Sequence, residues 1–554
     1  MSSLVRFVLF AVLFLPLSAP VADLKEPAPD PALADADLLY RSGKFSEAEI
    51  SYQSLLKKDP TLVGAQVGLA HSMLRQQKID EAFEVVNNAL ASRPASAVLL
   101  ATKGDVQFRR GEMAAAETSY LAAKKTDPKQ VRACLGLARL YSSYSLYRKA
   151  YDQLQSAHLI APDDLEVQRA WLGMLPRKDR AAALEAYLAA AHPDDEEETQ
   201  WMHEYLDLLE ATVDKPIHAC RLVSKVERTE ANLRTIGDSR YVRGIGLDAE
   251  INKRKAHLLF DTGAGGIMVS RKIADKAGLT RLSTRHYAGI GDKGLQSGYT
   301  AVADHIRIGE LEFQDCVVSV SDARSVAEED GLIGADVFNS YLVDIDLPEM
   351  RLDLSPLPKR PEDSVAPNSL NSEGEEQSNA EQKEETAAQG QATSAMSTSQ
   401  PARHLPRDRF VAPEMANWTK VFRFSHLVLV PASVNSSHDM LFGLDTGAFA
   451  NILSLRAARQ MSKVSSEDWL RVGGLNGQVK KVYSAKAILR FGHLQVPNME
   501  IVTLDLSPQS RRIGTEVSGL LGYAMLRILD VKLDYRDGLV DFEYDPKRVP
   551  LIGR

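Results

Sequence analysis

Four prolines, Pro60, Pro94, Pro128 and Pro162, stand 34 residues apart. Three further registers keep that step: Ala48, Ala82, Ala116 and Ala150; Leu55, Ala89, Ala123 and Ala157; and Ala36, Ala70, Gly104 and Ala138. Small residues at fixed places let two antiparallel helices approach closely, and each proline stops the second helix before the next unit begins. One such pair cannot bury its apolar face alone, so the units must stack on their neighbours. A shorter unit ending at Pro193 breaks the step and reads as a cap.

The repeat cores run RSGKFSEAEISYQSLLKKDP, RQQKIDEAFEVVNNALASRP, RRGEMAAAETSYLAAKKTDP and SYSLYRKAYDQLQSAHLIAP. This pattern resembles tetratricopeptide repeats. The resemblance implies an α-helical solenoid over residues 35–200, followed by a helical connector over 201–234, and a protein partner recruited by the repeats. Cys134, within ACLGLARLY, reads as a small buried core residue.

The second half contains one β unit twice, over residues 235–358 and 406–548. KAHLLFDTGAGGIMVS in the first copy is answered by DMLFGLDTGAFANILS in the second. In each, an apolar run enters Asp-Thr-Gly-Ala and leads to a short amphipathic helix. A glycine-rich hairpin follows (GIGDKG; GGLNG), then an apolar-glycine signal (GLIGADVF; GLLGYAML), then two closing strands joined by a tight turn. Two strings with the same downstream order are not a coincidence of composition.

These motifs resemble the aspartic peptidases, and most closely the retropepsin-like single-lobe domains of bacterial exported proteins. The resemblance implies two all-β acid-protease lobes with Asp261 and Asp445 as paired catalytic carboxylates. It makes Thr262 and Thr446 the hydroxyls that lock the two loops, and Gly263 and Gly447 the residues that let each loop turn. The flap role falls on the hairpins at Gly289 and Gly291 and at Gly473 and Gly474. The chemistry needs two carboxylates because one group cannot both activate water and protonate a carbonyl oxygen. Close together they cannot both ionise, so they share a proton: one takes a proton from water while the other donates to the scissile carbonyl. No metal and no cofactor is called for. The expected function is therefore an aspartic endopeptidase acting on a protein or peptide substrate. The alternative is a non-catalytic peptide-binding or scaffold protein that keeps the fold, and the lobes are free to pair within one chain or between chains.

Composition bounds the rest. Residues Pro361–Ala402 carry eight carboxylates, one lysine and no aromatic side chain, so 359–405 reads as a disordered acidic linker. Without that segment basic and acidic residues nearly balance, which argues against a nucleic-acid partner. Met1–Ala22 reads as a signal peptide around the apolar run Phe7–Ala19, with 23–34 as a linker, so export to a periplasmic or extracellular space is expected. The membrane enters only if that signal is retained. Cys134, Cys220 and Cys316 are isolated in sequence and predict neither a disulfide framework nor a CxxC metal site. His257 has no second ligand nearby, while His286, His426 and His493 are expected at the surface. Asp344, Asp346, Asp530 and Asp534 are expected on solvent-facing strand positions. Asp336 has Ala524 as its counterpart in the second copy, which weakens any shared catalytic role.

Overall fold

Residues 31–190, 196–213, 220–237, 242–322, 329–361, 405–435, 437–467 and 469–548 are described, from a computed structural model. The expected signal peptide, most of the 23–34 linker and most of the acidic linker lie outside them.

The repeats form antiparallel helix pairs: α1 (Pro31–Arg41) with α2 (Phe45–Lys58), α3 (Val63–Arg75) with α4 (Ile79–Ser92), α5 (Ala97–Arg109) with α6 (Met113–Thr126), and α7 (Val131–Ser143) with α8 (Tyr147–Ile160). α2, α4, α6 and α8 each stop two residues before their proline. Gly104 and Gly136 show why the small positions matter. A Cβ at either would lie 2.5 or 2.3 Å from the ring of Tyr120, which is fully buried between their helices. Beyond α8 come the short α9 (Leu165–Trp171), then α10 (Arg177–Ala190) and α11 (Glu196–Thr212). The 34-residue step also carries a polar ladder that runs from buried His71 and Asp105 to exposed Arg139. His71, Asp105 and Arg139 meet in sequence, with His71 Nε2 3.2 Å from Asp105 Oδ2 and Arg139 donating to Oδ1 at 3.2 Å. Burial pushes the Asp105 carboxyl up, but the His71 bond and the Arg132 and Arg139 charges outweigh it and hold the group well below its ordinary range.

Each lobe is a β unit in which the strand entering Asp-Thr-Gly pairs in parallel with the later apolar-glycine strand. Leu258 and Phe260 align with Gly331 and Ile333 in lobe 1, and Phe442 and Asp445 align with Gly519 and Gly522 in lobe 2. The lobes join through a shared sheet within the chain. Its central seam is the antiparallel pair of Tyr341–Asp346 from lobe 1 and Asp530–Asp534 from lobe 2, with Val343 opposite Leu533. Thr229–Gly237 and Arg351–Pro356 extend it on one side, and Leu539–Glu543 and Thr419–Lys420 on the other. One hydrophobic core runs through both lobes.

Several expectations are corrected. The stretch read as a helical connector is helical only to the end of α11; the strand Arg221–Leu222 within it and the strand Thr229–Gly237 that begins in it already belong to lobe 1. Cys220 and Cys316, 96 residues apart in sequence, are disulfide-bonded. The first of these strands lies beside Leu311–Ser321, a proximity that sequence spacing could not reveal. Asp346, Asp530 and Asp534 are buried rather than solvent-facing, and Asp346 is covered by ion pairs with Arg351 and Arg548.

The solenoid is not a separate body. Phe108 and Leu140 share a buried cluster with Leu429 and Leu441 of lobe 2, and Thr515 Oγ1 donates to the Phe108 carbonyl at 2.6 Å. Asp408 caps α8, its Oδ1 accepting from the backbone N–H groups of Arg148 (2.9 Å) and Lys149 (3.1 Å). α11 reaches both lobes: Glu204 Oε1 lies 2.5 Å from His286 Nδ1 of lobe 1, and Arg512 of lobe 2 donates to Glu197 at 2.6 Å. His286 is thus engaged rather than free at the surface.

Candidate active site

The two Asp-Thr-Gly loops meet at the join of the lobes, each held by the other. Thr262 Oγ1 donates to the Leu444 carbonyl at 2.9 Å and accepts from the Thr446 amide at 3.0 Å. Thr446 Oγ1 returns the pattern, donating to Phe260 O at 2.9 Å and accepting from the Thr262 amide at 3.1 Å. Both threonines are 1% exposed, so each hydroxyl satisfies one donor and one acceptor that water does not reach.

This lock brings Asp261 and Asp445 face to face, sharing a hydrogen bond. The glycines expected to permit the turn also make room for the partner carboxylate. A Cβ on Gly263 would lie 2.8 Å from Asp445 Cγ, and one on Gly447 would lie 2.4 Å from Asp261 Cγ. Local amides orient the acids: Gly263 N donates to Asp261 Oδ1 and Ala448 N to Asp445 Oδ1, both at 2.8 Å. Burial first, and then the Asp445 charge, push the Asp261 carboxyl well above the usual range; burial also raises Asp445. The pair therefore retains a proton where isolated carboxyl groups would have lost theirs.

The four flap glycines fall on two hairpin tips that touch. Asn476 N donates to the Ile290 carbonyl at 3.0 Å, and Lys293 N donates to the Asn476 carbonyl at 2.9 Å. Gly291 has φ +131°, and a Cβ there would lie 2.3 Å from Asn476 C, so the close approach needs glycine. At Gly474 a Cβ would lie 2.2 Å from the Ile290 carbonyl oxygen, and at Gly289 it would meet Leu475. Gly473 lies next to this contact, with open space around it.

Sequence reading missed one close neighbour of the dyad. His426, expected at the surface, is partly buried at the tip of a lobe 2 hairpin and packs on the lobe 1 loop. A Cβ on Gly265 would lie 2.6 Å from its Nδ1. The available signal is the first difference between the matched loops after Asp-Thr-Gly-Ala, glycine at 265 against phenylalanine at 449. Asp336 also belongs here, its Oδ1 accepting from Gly266 N at 2.9 Å. No cluster of three or more His, Cys, Asp or Glu side chains fit for a metal occurs among the described residues.

Comparison with known proteins gives two families. The aspartyl protease family model matches residues 247–337 and 430–525, and the tetratricopeptide repeat model matches 33–97 and 67–131. The "DNA damage-inducible protein 1" of Neurospora crassa is 32% identical over 133 residues, covering 23% of this chain and 29% of that protein. The "UBA domain-containing protein Mud1" of Schizosaccharomyces pombe is 33% identical over 104 residues, covering 18% and 30%. The chain thus spans less than a third of the length of these curated relatives. Among solved structures, a thermophilic TPR protein of Thermus thermophilus aligns at 18% identity and TM-score 0.26, over 32% of this chain and 97% of that one. MamA aligns at 21% identity and TM-score 0.20, over 28% and 92%. The chain carries tetratricopeptide repeats followed by two aspartyl protease regions.

Proposed function

We propose that the protein is an exported aspartic endopeptidase whose repeat domain recruits a protein partner or substrate. The observation that carries this reading is the reciprocal threonine lock, which sets Asp261 and Asp445 against each other with a retained proton. In that state the ionised carboxylate takes a proton from a water while the protonated one donates to the scissile carbonyl. The peptide carbon passes through a tetrahedral diol, and no covalent intermediate forms. Touching hairpin tips suit a pair of flaps that close on an extended peptide and exclude bulk water. Export is supported by the Cys220–Cys316 disulfide, a bond that persists in oxidising compartments.

The test is hydrolysis of casein and of a peptide library by the native protein, Asp261→Asn and Asp445→Asn. Each substitution is expected to lower the rate by several orders of magnitude, as residues acting as a unit do. If Asp445→Asn keeps full activity, the two carboxylates are not one catalytic pair.

A further inference from the structure

The two catalytic loops are not held alike. In lobe 2, the Ala448 and Phe449 carbonyls accept from the Tyr523 and Ala524 amides at 2.8 and 2.7 Å, and Gly522 N donates to Asn451 Oδ1 at 2.8 Å. The loop is stitched to its own lobe up to the residues beside Asp445. In lobe 1, Asp336 and the Gly334 amide hold Gly266, the amide donating to the Gly266 carbonyl at 2.8 Å. Between the locked Thr262 and Gly266 stand Gly263, Ala264 and Gly265, a stretch with two glycines and therefore much backbone freedom to lose. That stretch meets the His426 ring. The imidazole lies close enough to Gly265 to leave no room for a Cβ, and the Gly263 carbonyl is within its hydrogen-bonding reach. His426 comes from the other lobe, on the hairpin of Phe422–Phe424 and Leu427–Val434, next to Ser425 in a left-handed turn (φ 57°).

We propose that His426 is a positioning residue: lobe 2 reaches across with its imidazole to immobilise Gly263–Gly265 of lobe 1, and so fixes the carboxylate of Asp261 against that of Asp445. Asp336 completes the arrangement from below, holding Gly266 by its carboxylate and facing the His426 ring electrostatically. Arg285 is the other charged group that bears on the ring. Lobe 2 has no use for the device, having Phe449 where lobe 1 has Gly265 and Ala524 where it has Asp336. The inference rests on the peptidase reading for its kinetic consequence but not for its structural one. Asp261 accepts from the Gly263 amide at 2.8 Å on Oδ1 and from the Gly447 amide across the join, and Gly263, the guide from its own loop, is the one that the imidazole meets.

The experiment compares the native chain with His426→Ala and with His426→Asn, whose amide nitrogen stands near the place of Nδ1. His426→Ala is expected to lower kcat about tenfold to a hundredfold with KM nearly unchanged, the scale on which small misplacements act. His426→Asn is expected to recover most of that loss. Equal kcat in native and alanine forms, or a loss that asparagine does not relieve, overturns the proposal. If His426→Ala does not fold, the asparagine variant decides alone: kcat kept supports the proposal and kcat lost overturns it. If the native protein cleaves nothing, the peptidase reading falls and carboxyl 13C NMR decides the inference separately. The coupled titration of Asp261 and Asp445 then moves in His426→Ala if the imidazole sets their geometry. An unmoved titration overturns it.

Discussion

At the residue scale, the dyad is a site of instability held in place by its surroundings. Burial raises both carboxyl groups above their unfolded values, and the Asp445 charge raises Asp261 further, so the folded state holds protons that the unfolded chain releases. The sign follows from linkage: this contribution is fully present below about pH 4 and is lost as pH rises through the folded values. Asp261→Asn removes one member of the pair. Its Tm is therefore expected to match that of the native protein near pH 4 and to exceed it at pH 7 to 8, while peptidase activity is abolished. A thermal-shift series over that range checks this, and a Tm difference that is flat with pH would mean that the pair holds no extra proton. Removing the acid that does the chemistry is then expected to relieve the fold.

At the scale of elements, the repeat helices contribute to the β lobes rather than merely accompany them. Phe108 is fully buried, its ring centroid 6.1 Å from that of Phe424, and its carbonyl accepts from Thr515. Phe108→Ala is expected to cost about 3 to 5 kcal/mol and to lower the unfolding midpoint of lobe 2 together with that of the repeats. Urea unfolding followed by lobe and repeat reporters checks this; two separated transitions would mean that the interface couples nothing. Deleting residues 35–195 would bare Leu429 and Leu441, and is expected to impair cleavage even of a short peptide. The period of 34 and the paired Asp-Thr-Gly strings were legible because they are local patterns, repeated in register. The Leu429–Leu441 interface was not, for both residues sit in strands whose apolar faces look the same whether they meet a lobe core or a helix. His426 escaped for a related reason: an isolated histidine in a hairpin gives no sign of which lobe it will touch. Cys220 and Cys316 could not be paired by spacing, since a folded sheet closes the distance.

At the scale of the whole molecule, the seam between the lobes decides how the chain holds together. Because the seam strands, the threonine lock and α11 all bridge the lobes, nicking the 362–404 segment is expected to leave specific activity independent of dilution. Activity against enzyme concentration for intact and nicked chains checks this, and a loss on dilution would restore to the linker a tethering role. The seam is also expected to weaken in alkali. Burial, and then the neighbouring Asp530, push the Asp344 carboxyl up to about 8. Being raised, it stabilises fully below about pH 4, and the contribution is lost as pH rises through about 8. Asp344→Asn is expected to flatten the decline in stability over that window, as measured by urea midpoints. The unlike loops have one further consequence. A peptide has a direction, and a cleft built from two identical halves would accept it equally well either way round. Here one half presents a bare Gly265 backed by an imidazole from across the join, and the other presents Phe449, which is 50% exposed. Head-first and tail-first are different fits, so fusing the halves into one chain has given the cleft a grain.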